Sequence, residues 1–364
     1  MKPKAILVDI ITPDTTSEES LARLNELESL LVTYGGFVIV RKIQRKQTPN
    51  YQTYIGKGKL EEIAEDAKES GATYLIINNL LKPQQLYNLT TRFEKDQITV
   101  WDKVDLILKI FEKHASTKEA KLQIELASLK HLGPRIFKMG AELMRQGGGI
   151  GTRGQGETNI EIMKRHIRTR EQKIKADLVK ISKTQENQRN KRRNDGFKTV
   201  AIVGYTNAGK SALLTKLTNK QVKVKNELFA TLDSRIGKVY LDEVNQNALI
   251  SDTIGFIRDL PPELIEAFKS TLAETIYADL LLHVVDASDF ELEWKIEVVQ
   301  KILSELKCDD KRTIFVFNKI DLISKKHQVH LTQKYAHLNP LFISAEQKVG
   351  LVELKKEVAE YLKG

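Results

Sequence analysis

The sequence predicts an α/β protein: a small parallel α/β domain, then a two-helix coiled-coil hairpin, then a second, mostly parallel α/β domain. Three observations predict it. Short β-rich apolar runs alternate with helical patterns at both ends of the chain, as in parallel sheets covered by helices. Between those ends, isoleucine recurs at every seventh residue. Near residue 200 an apolar strand runs straight into a glycine-containing loop and a helix. At 364 residues the chain is also longer than one compact domain usually is.

Residues 1–110 form the first domain. The runs Ala5–Val8, Phe37–Val40, Tyr74–Ile77 and Ile98–Trp101 predict strands, with helices over 18–32, 59–69 and 82–94 and another from Asp102. Residues 111–195 change character. Leu122, Leu126 and Leu129 share one helical face, and after a glycine-rich gap Ile160, Ile167, Ile174 and Ile181 keep a seven-residue spacing that Met163 and Leu178 supplement. An antiparallel hairpin would bury both stripes. Residues 196–364 return to alternation, with Thr199–Val203, Ala248–Ser251, Leu280–Val285, Thr313–Phe317 and Leu341–Ser344 as strands buried on both faces. A final helix is expected over Leu351–Leu362.

Composition narrows the function. A hydrophobic fraction of 41% with 29% charged residues excludes wholesale disorder. One cysteine, Cys308, excludes a disulfide framework or a cysteine-built zinc site. No apolar run approaches the roughly 20 residues that span a bilayer, so a cytoplasmic protein without a membrane span is expected. Of the net charge of +10, most sits between Lys164 and Lys198, where thirteen Lys or Arg face four acids. That stretch favours a polyanionic partner, although a solvated helix face would look the same. The glycines at 147, 148, 149, 151, 154 and 156 stop either helix from running through, and Arg145 and Arg153 make the hairpin tip cationic. A cationic tip on a stiff arm suits a structured RNA cavity; a partnerless connector is the alternative.

The chemistry lies in the last domain. Strand Val200–Val203 leads into Gly204, Tyr205, Thr206, Asn207, Ala208, Gly209, Lys210 and Ser211, followed by a helical stretch. This is the G-x-x-x-x-G-K-S phosphate loop in its strand–loop–helix setting. Its glycines let successive N–H groups and a helix N-terminus point at phosphates. Lys210 neutralises β/γ-phosphate charge and Ser211 ligates Mg²⁺. Asp252, 41 residues beyond Ser211, ends a strand and can hold Mg²⁺ through water, while the Gly255 N–H can meet the γ-phosphate. Thr231, behind Phe229 and Ala230, is placed to close on Mg²⁺ as a switch threonine. Asn318, Lys319 and Asp321 follow another strand. The Asp321 carboxylate can accept from guanine N1–H and the 2-amino group, donors that adenine lacks. Ser344 and Ala345 finish the base pocket. Four short motifs in this order, each at a strand's carboxyl end, predict a P-loop GTPase domain that binds GTP, with Lys210, Thr231 and Gly255 as the catalytic groups.

Three segments resemble the HflX family of translational GTPases, two outside those motifs and one that extends the Asp252–Gly255 motif: Tyr54-Ile55-Gly56-Lys57-Gly58-Lys59, residues 145–158 (RQGGGIGTRGQGET) and residues 252–262 (DTIGFIRDLPP). The resemblance covers almost the whole chain. It implies binding to the large (50S) ribosomal subunit, with the hairpin tip reaching towards peptidyl-transferase rRNA, and GTP-linked splitting or rescue of stalled 70S ribosomes. A GTP-dependent assembly factor is the alternative. So is an ATP-dependent RNA remodeller, since some relatives are linked to ATP through the first domain; Gly56-Lys57-Gly58-Lys59 is not a full phosphate loop. Two departures stand out. Little beyond one helix follows Ala345, where many relatives carry a further domain, and Asp233-Ser234-Arg235-Ile236 replaces their Pro-Thr-Thr run. Asn207 stands where some similar GTPases use Asn to help hold K⁺; a preference for the turn conformation explains it equally. A monomer is expected.

Overall fold

The computed structural model describes residues 2–146, 159–218, 228–229, 235–258, 261, 264 and 272–363; for 136–146 and 159–160 the description is of the backbone only. Residues 147–158, with Arg153, and Ala230 and Thr231 of the expected switch lie outside the described residues, as does the side chain of Arg145. Two compact units form: Met1–Lys113 with Lys121–Leu178, and His114–Ala120 with Val179–Gly364.

In the first unit, strands β1 (Lys4–Ile11), β2 (Phe37–Arg45), β3 (Tyr74–Ile77) and β4 (Thr99–Asp102) make a parallel sheet in the order β2-β1-β3-β4. The apolar run of β1 is buried almost throughout because the strand is central. Helix α1 (Ser17–Tyr34) starts with a capping box, in which Thr16 accepts from the Glu19 N–H while Glu19 accepts from that of Thr16. It ends on Gly35 at φ 103°, which suits glycine. Helices α2 (Lys57–Ser70), α3 (Pro83–Glu94) and α4 (Lys103–His114) complete the layers. The Trp101 ring lies between Tyr34 and Tyr74, at centroid distances of 5.4 and 4.6 Å.

Helices α5 (Lys118–Gln146) and α6 (Asn159–Asn194) form the hairpin. Within the first unit Arg170 grips Glu125 with two bonds of 2.6 and 2.7 Å. The heptad stripe is only partly a buried seam, however. Ile174 is fully buried, but Ile167 and Ile181 are half-exposed and Met163 is 45% exposed. On α5, Leu126 is buried together with Ile124 and Ala127, while Leu122 and Leu129 are half-buried. Two helices alone share one narrow contact line, so residues flanking it stay wet.

The second unit holds β5 (Lys198–Gly204), α7 (Lys210–Thr218), β6 (Arg235–Leu241), β7 (Gln246–Asp252), α8 (Ala273–Tyr277), β8 (Leu280–Asp286), α9 (Leu292–Glu305), β9 (Thr313–Asn318), α10 (Lys325–Lys334), β10 (Leu341–Phe342) and α11 (Leu351–Lys363). The sheet order is β10-β9-β8-β5-β7-β6. All neighbours pair in parallel except β6, which is antiparallel to β7 and was not expected from the sequence. Its residues bury only every second side chain, because it is an edge strand. Strand β10 is also shorter than expected: Ser344 belongs instead to a turn closed by paired bonds with Val349. The phosphate loop follows the central strand β5, and the motif residues gather along the sheet's carboxyl edge.

Candidate functional site

Gly204 ends β5 at φ 149°, and a Cβ there would lie 2.3 Å from the Val284 carbonyl oxygen of the neighbouring strand. Only glycine fits. Gly209, at φ 96°, faces Asn318 just as closely, with its added Cβ 2.1 Å from Nδ2. Asn207 also has positive φ, 63°, a conformation that asparagine tolerates better than most residues. The loop then becomes the first turn of α7, where the Leu213 N–H donates to the Gly209 carbonyl at 2.9 Å.

Lys210 is buried, and its ammonium donates to the Gly204 and Tyr205 carbonyls at 3.1 and 2.7 Å. Burial lowers its pKa to about 8, against the pull of the Asp252 charge. The Ser211 hydroxyl donates to Asp252 Oδ2 at 2.6 Å. Next along, the Thr253 hydroxyl donates to the Ile202 carbonyl at 2.8 Å and pins the segment to β5. Gly255 lies so close to the loop that a Cβ would sit 2.9 Å from Lys210 Nζ and 2.8 Å from Thr206 Cγ2. Phe256 is fully buried and pairs with the loop through its backbone: Thr206 N–H to the Phe256 carbonyl at 2.8 Å, and Phe256 N–H to the Gly204 carbonyl at 3.2 Å. Phe229, at φ 56°, is buried.

On the other side of the loop, Asn318 joins two motifs. Its Nδ2 donates to the Ala208 carbonyl and its Oδ1 accepts from the Ala345 N–H, both at 2.9 Å. Lys319 adopts φ 65° and pairs with Asp286 at 2.6 Å. The Ser344 hydroxyl donates to Asp321 and accepts from the Gln347 N–H at 3.0 Å, so it orients the carboxylate. The structure therefore links the phosphate loop to Asp252 and Gly255 on one side and to Asn318 and Ala345 on the other, with Asp321 held by Ser344.

Several neighbours had no signal in the sequence. His283 on β8 is buried beside the Phe315 ring, and burial followed by the Lys210 charge lowers its pKa to about 3, so it is neutral. Arg258, Glu291 and Trp294 form a group around Tyr205. The motif Gly56-Lys57-Gly58-Lys59 is the N-terminus of α2 rather than a loop. Gly56 is the N-cap, its N–H donates to Gln44 at 2.9 Å, and Lys59 pairs with Glu62 at 2.5 Å. At the base of α6, Arg189 and Arg192 lie 3.8 Å from Glu274, and Arg189 stacks over Tyr277 at 4.8 Å.

Among the described residues, Asp102, Asp105 and His131 are the one group of three with metal-ligand spacing. Arg135 already occupies it: it donates to Asp102 and to both oxygens of Asp105, at 3.0 and 2.9 Å. A guanidinium neutralises the pair without an ion. No helix among the described residues is long and apolar enough to cross a membrane.

Comparison with known proteins agrees with this geometry. Residues 21–112 match a family model described as "GTP-binding GTPase N-terminal", 114–192 one described as "GTP-binding GTPase Middle Region", and 199–319 one described as "50S ribosome-binding GTPase". The GTPase HflX of Caldanaerobacter subterraneus is 44% identical over 361 residues, 99% of this chain and 81% of that protein. That of Escherichia coli is 38% identical, covering 99% of this chain and 83% of the relative. Among solved structures, SsGBP in complex with GDP aligns at 29% identity over 99% of this chain and 98% of its own, with a TM-score of 0.53. A GTP-binding protein from the archaeon Sulfolobus solfataricus, also with GDP, aligns over 100% and 99% at 26% identity, TM-score 0.50. With a phosphate loop, an Asp-x-x-Gly segment and an Asn-Lys-x-Asp segment on one sheet edge and full-length relatives of one kind, the chain belongs to the HflX family of GTPases and hydrolyses GTP.

Proposed function

We propose that this GTPase binds the large ribosomal subunit and uses its GTP state to split or rescue stalled 70S ribosomes. The observation that carries the nucleotide half is the Asn318 bridge between the phosphate loop and the base pocket. In this reading the amides of Tyr205 to Gly209 and the Lys210 ammonium take the phosphates, Lys210 exchanging its loop carbonyls for phosphate oxygens. Asp321 reads guanine between Lys319, Ser344 and Ala345. Phe229 and Ala230 flank the switch. Gly255 meets the γ-phosphate, and with Lys210 and Thr231 supplies the catalytic contacts.

The Ser211 hydroxyl and the Asp252 carboxylate, 2.6 Å apart, are hard oxygen donors and fit Mg²⁺, with Thr231 as a third ligand. Bound Mg²⁺ would neutralise phosphate charge. Potassium beside Asn207 is the further cation proposed. Equal turnover in K⁺ and Na⁺ would remove it, and leave φ 63° as the reason for Asn.

For the ribosomal half, support comes from the description of the family matched by residues 199–319 and from the basic run on α6, where Lys191 and Arg193 are exposed. The proposed functional parts are 1–110, 111–195 with its glycine-rich tip directed at rRNA, and 196–364. The protein acts as a cytoplasmic monomer. Sucrose gradients of purified ribosomes test the reading: protein plus GTP should deplete the 70S peak. Binding confined to precursor subunits would favour an assembly role instead.

A further inference from the structure

Arg258 belongs to the segment 252–262, yet none of the nucleotide chemistry described above employs it. It is only 4% exposed. Its guanidinium lies 3.7 Å from the centroid of the Trp294 ring and donates to Glu291 Oε1 at 2.6 Å. Both partners come from the start of α9. Its backbone N–H donates to the Tyr205 hydroxyl at 2.7 Å. Tyr205, from the phosphate loop, stands edge-on to Trp294 at 6.0 Å, with the Lys295 ammonium 5.1 Å from its ring. A buried guanidinium stacked on an indole and paired with a carboxylate is held in one orientation.

The consequence follows from Phe256. A phenylalanine after Asp-x-x-Gly cannot orient water, so hydrolysis must use backbone groups, a cation or a group supplied by the partner. Among this chain's own backbone groups, the Gly255 N–H is the one read above as meeting the γ-phosphate. Placement of that N–H is set from two sides. Phe256 is zipped to Gly204 and Thr206. Two residues on, Arg258 ties the same backbone to Tyr205, Trp294 and Glu291. We propose that Arg258 is a positioning residue for GTP hydrolysis, clamped on Trp294 and Glu291 so that the backbone from Gly255 to Arg258 stays against the phosphate loop. This rests on the nucleotide site as read above. The clamp acts on the reacting end of GTP: Arg258 lies three residues beyond Gly255, and its backbone N–H meets the loop at the Tyr205 hydroxyl.

The full-length protein is tested without ribosomes, by GDP titration and by hydrolysis kinetics. Arg258→Gln should lower kcat by about 10- to 100-fold, the scale of a small misplacement at a reacting centre. KM and GDP affinity should stay within about twofold, as for an interaction made only in the transition state. Arg258→Lys should recover part of the rate, because an ammonium still meets the ring and the carboxylate. Arg258→Gln combined with Glu291→Gln should be no slower than Arg258→Gln alone. A wild-type kcat in Arg258→Gln overturns the proposal, as does a kcat loss matched by a parallel loss of GDP affinity. Should that variant fail to fold, Glu291→Gln and Trp294→Leu decide, and unchanged kcat in both is equally fatal. No GDP binding by the wild type would sink the nucleotide-site reading, and the clamp's role with it.

Discussion

Asn318 is hydrogen-bonded to Ala208 across the sheet's carboxyl edge, so the residue that opens the base-recognition segment also supports the loop that would hold phosphates. Base and phosphate recognition are thereby one construction. Asn318→Ala removes both 2.9 Å bonds and leaves the Ala208 carbonyl and the Ala345 N–H without that partner. Each orphaned buried group costs about 1–3 kcal/mol. GDP and GTP affinities should fall together by about tenfold or more, read by equilibrium titration. A loss confined to GTP would show that the bridge does not support the loop.

Asp321→Asn should weaken GTP binding and shift preference towards xanthosine nucleotides. Guanine presents two donors to a carboxylate, whereas xanthine replaces the 2-amino donor with an acceptor that an amide N–H can meet. Ser344 should matter through the same carboxylate, which its hydroxyl orients. Competition between GTP and xanthosine triphosphate is the measurement, and undiminished GTP preference counts against this pocket.

The group formed by Asp102, Asp105, His131 and Arg135 should make stability depend on pH. Burial and the Arg135 charge disfavour a charged His131, but the hydrogen bonds of Asp102 and Asp105 and the charge of Asp102 win and raise its pKa. A pKa raised on folding adds stability that is complete below the unfolded value, about 6.5, and lost as pH climbs through the folded one. For Asp102, burial would raise the pKa, yet the His131 hydrogen bond and the Arg135 charge hold it at about 2. That contribution is complete above the unfolded value and is lost only as pH falls towards 2. Between pH 6 and 8, His131→Gln should therefore flatten the decline of Tm with pH relative to the wild type. Parallel Tm curves for the two proteins would remove His131 from this account.

Phe256 is buried and bonded to the loop through its backbone alone. Intrinsic hydrolysis should accordingly be slow. Large-subunit binding should speed it by ordering the segments around Thr231 and Asp252; a gain of about 3–4 kcal/mol corresponds to roughly 10²–10³-fold. Single-turnover rates with and without purified large subunits measure this. Agreement within about twofold would mean that the ribosome is not the activator.

Much of this was legible because the relevant signals are local. The phosphate loop, Asp252 and Asn318 announce themselves by short spacings at strand ends, and β5 and β8 by continuous apolar runs. What stayed hidden was long-range or one-sided. Strand β6 alternates because only one face is covered, and Gly237 interrupts its apolar character. The partners of Arg258 lie 53 residues before it and 33 after it, and no spacing rule links them. Met163 continues the isoleucine pattern, but periodicity cannot report how wide a partner the helix has.

The chain's two tryptophans fall one to each compact unit, Trp101 between two tyrosines and Trp294 against a guanidinium and a third tyrosine. Their emission thus offers two separate optical channels in a protein without added dyes. Trp101→Phe leaves tryptophan emission only from the second unit and Trp294→Phe only from the first, so denaturant melts of the pair, excited where tyrosine does not absorb, reveal whether the units lose their structure as one cooperative body or in succession.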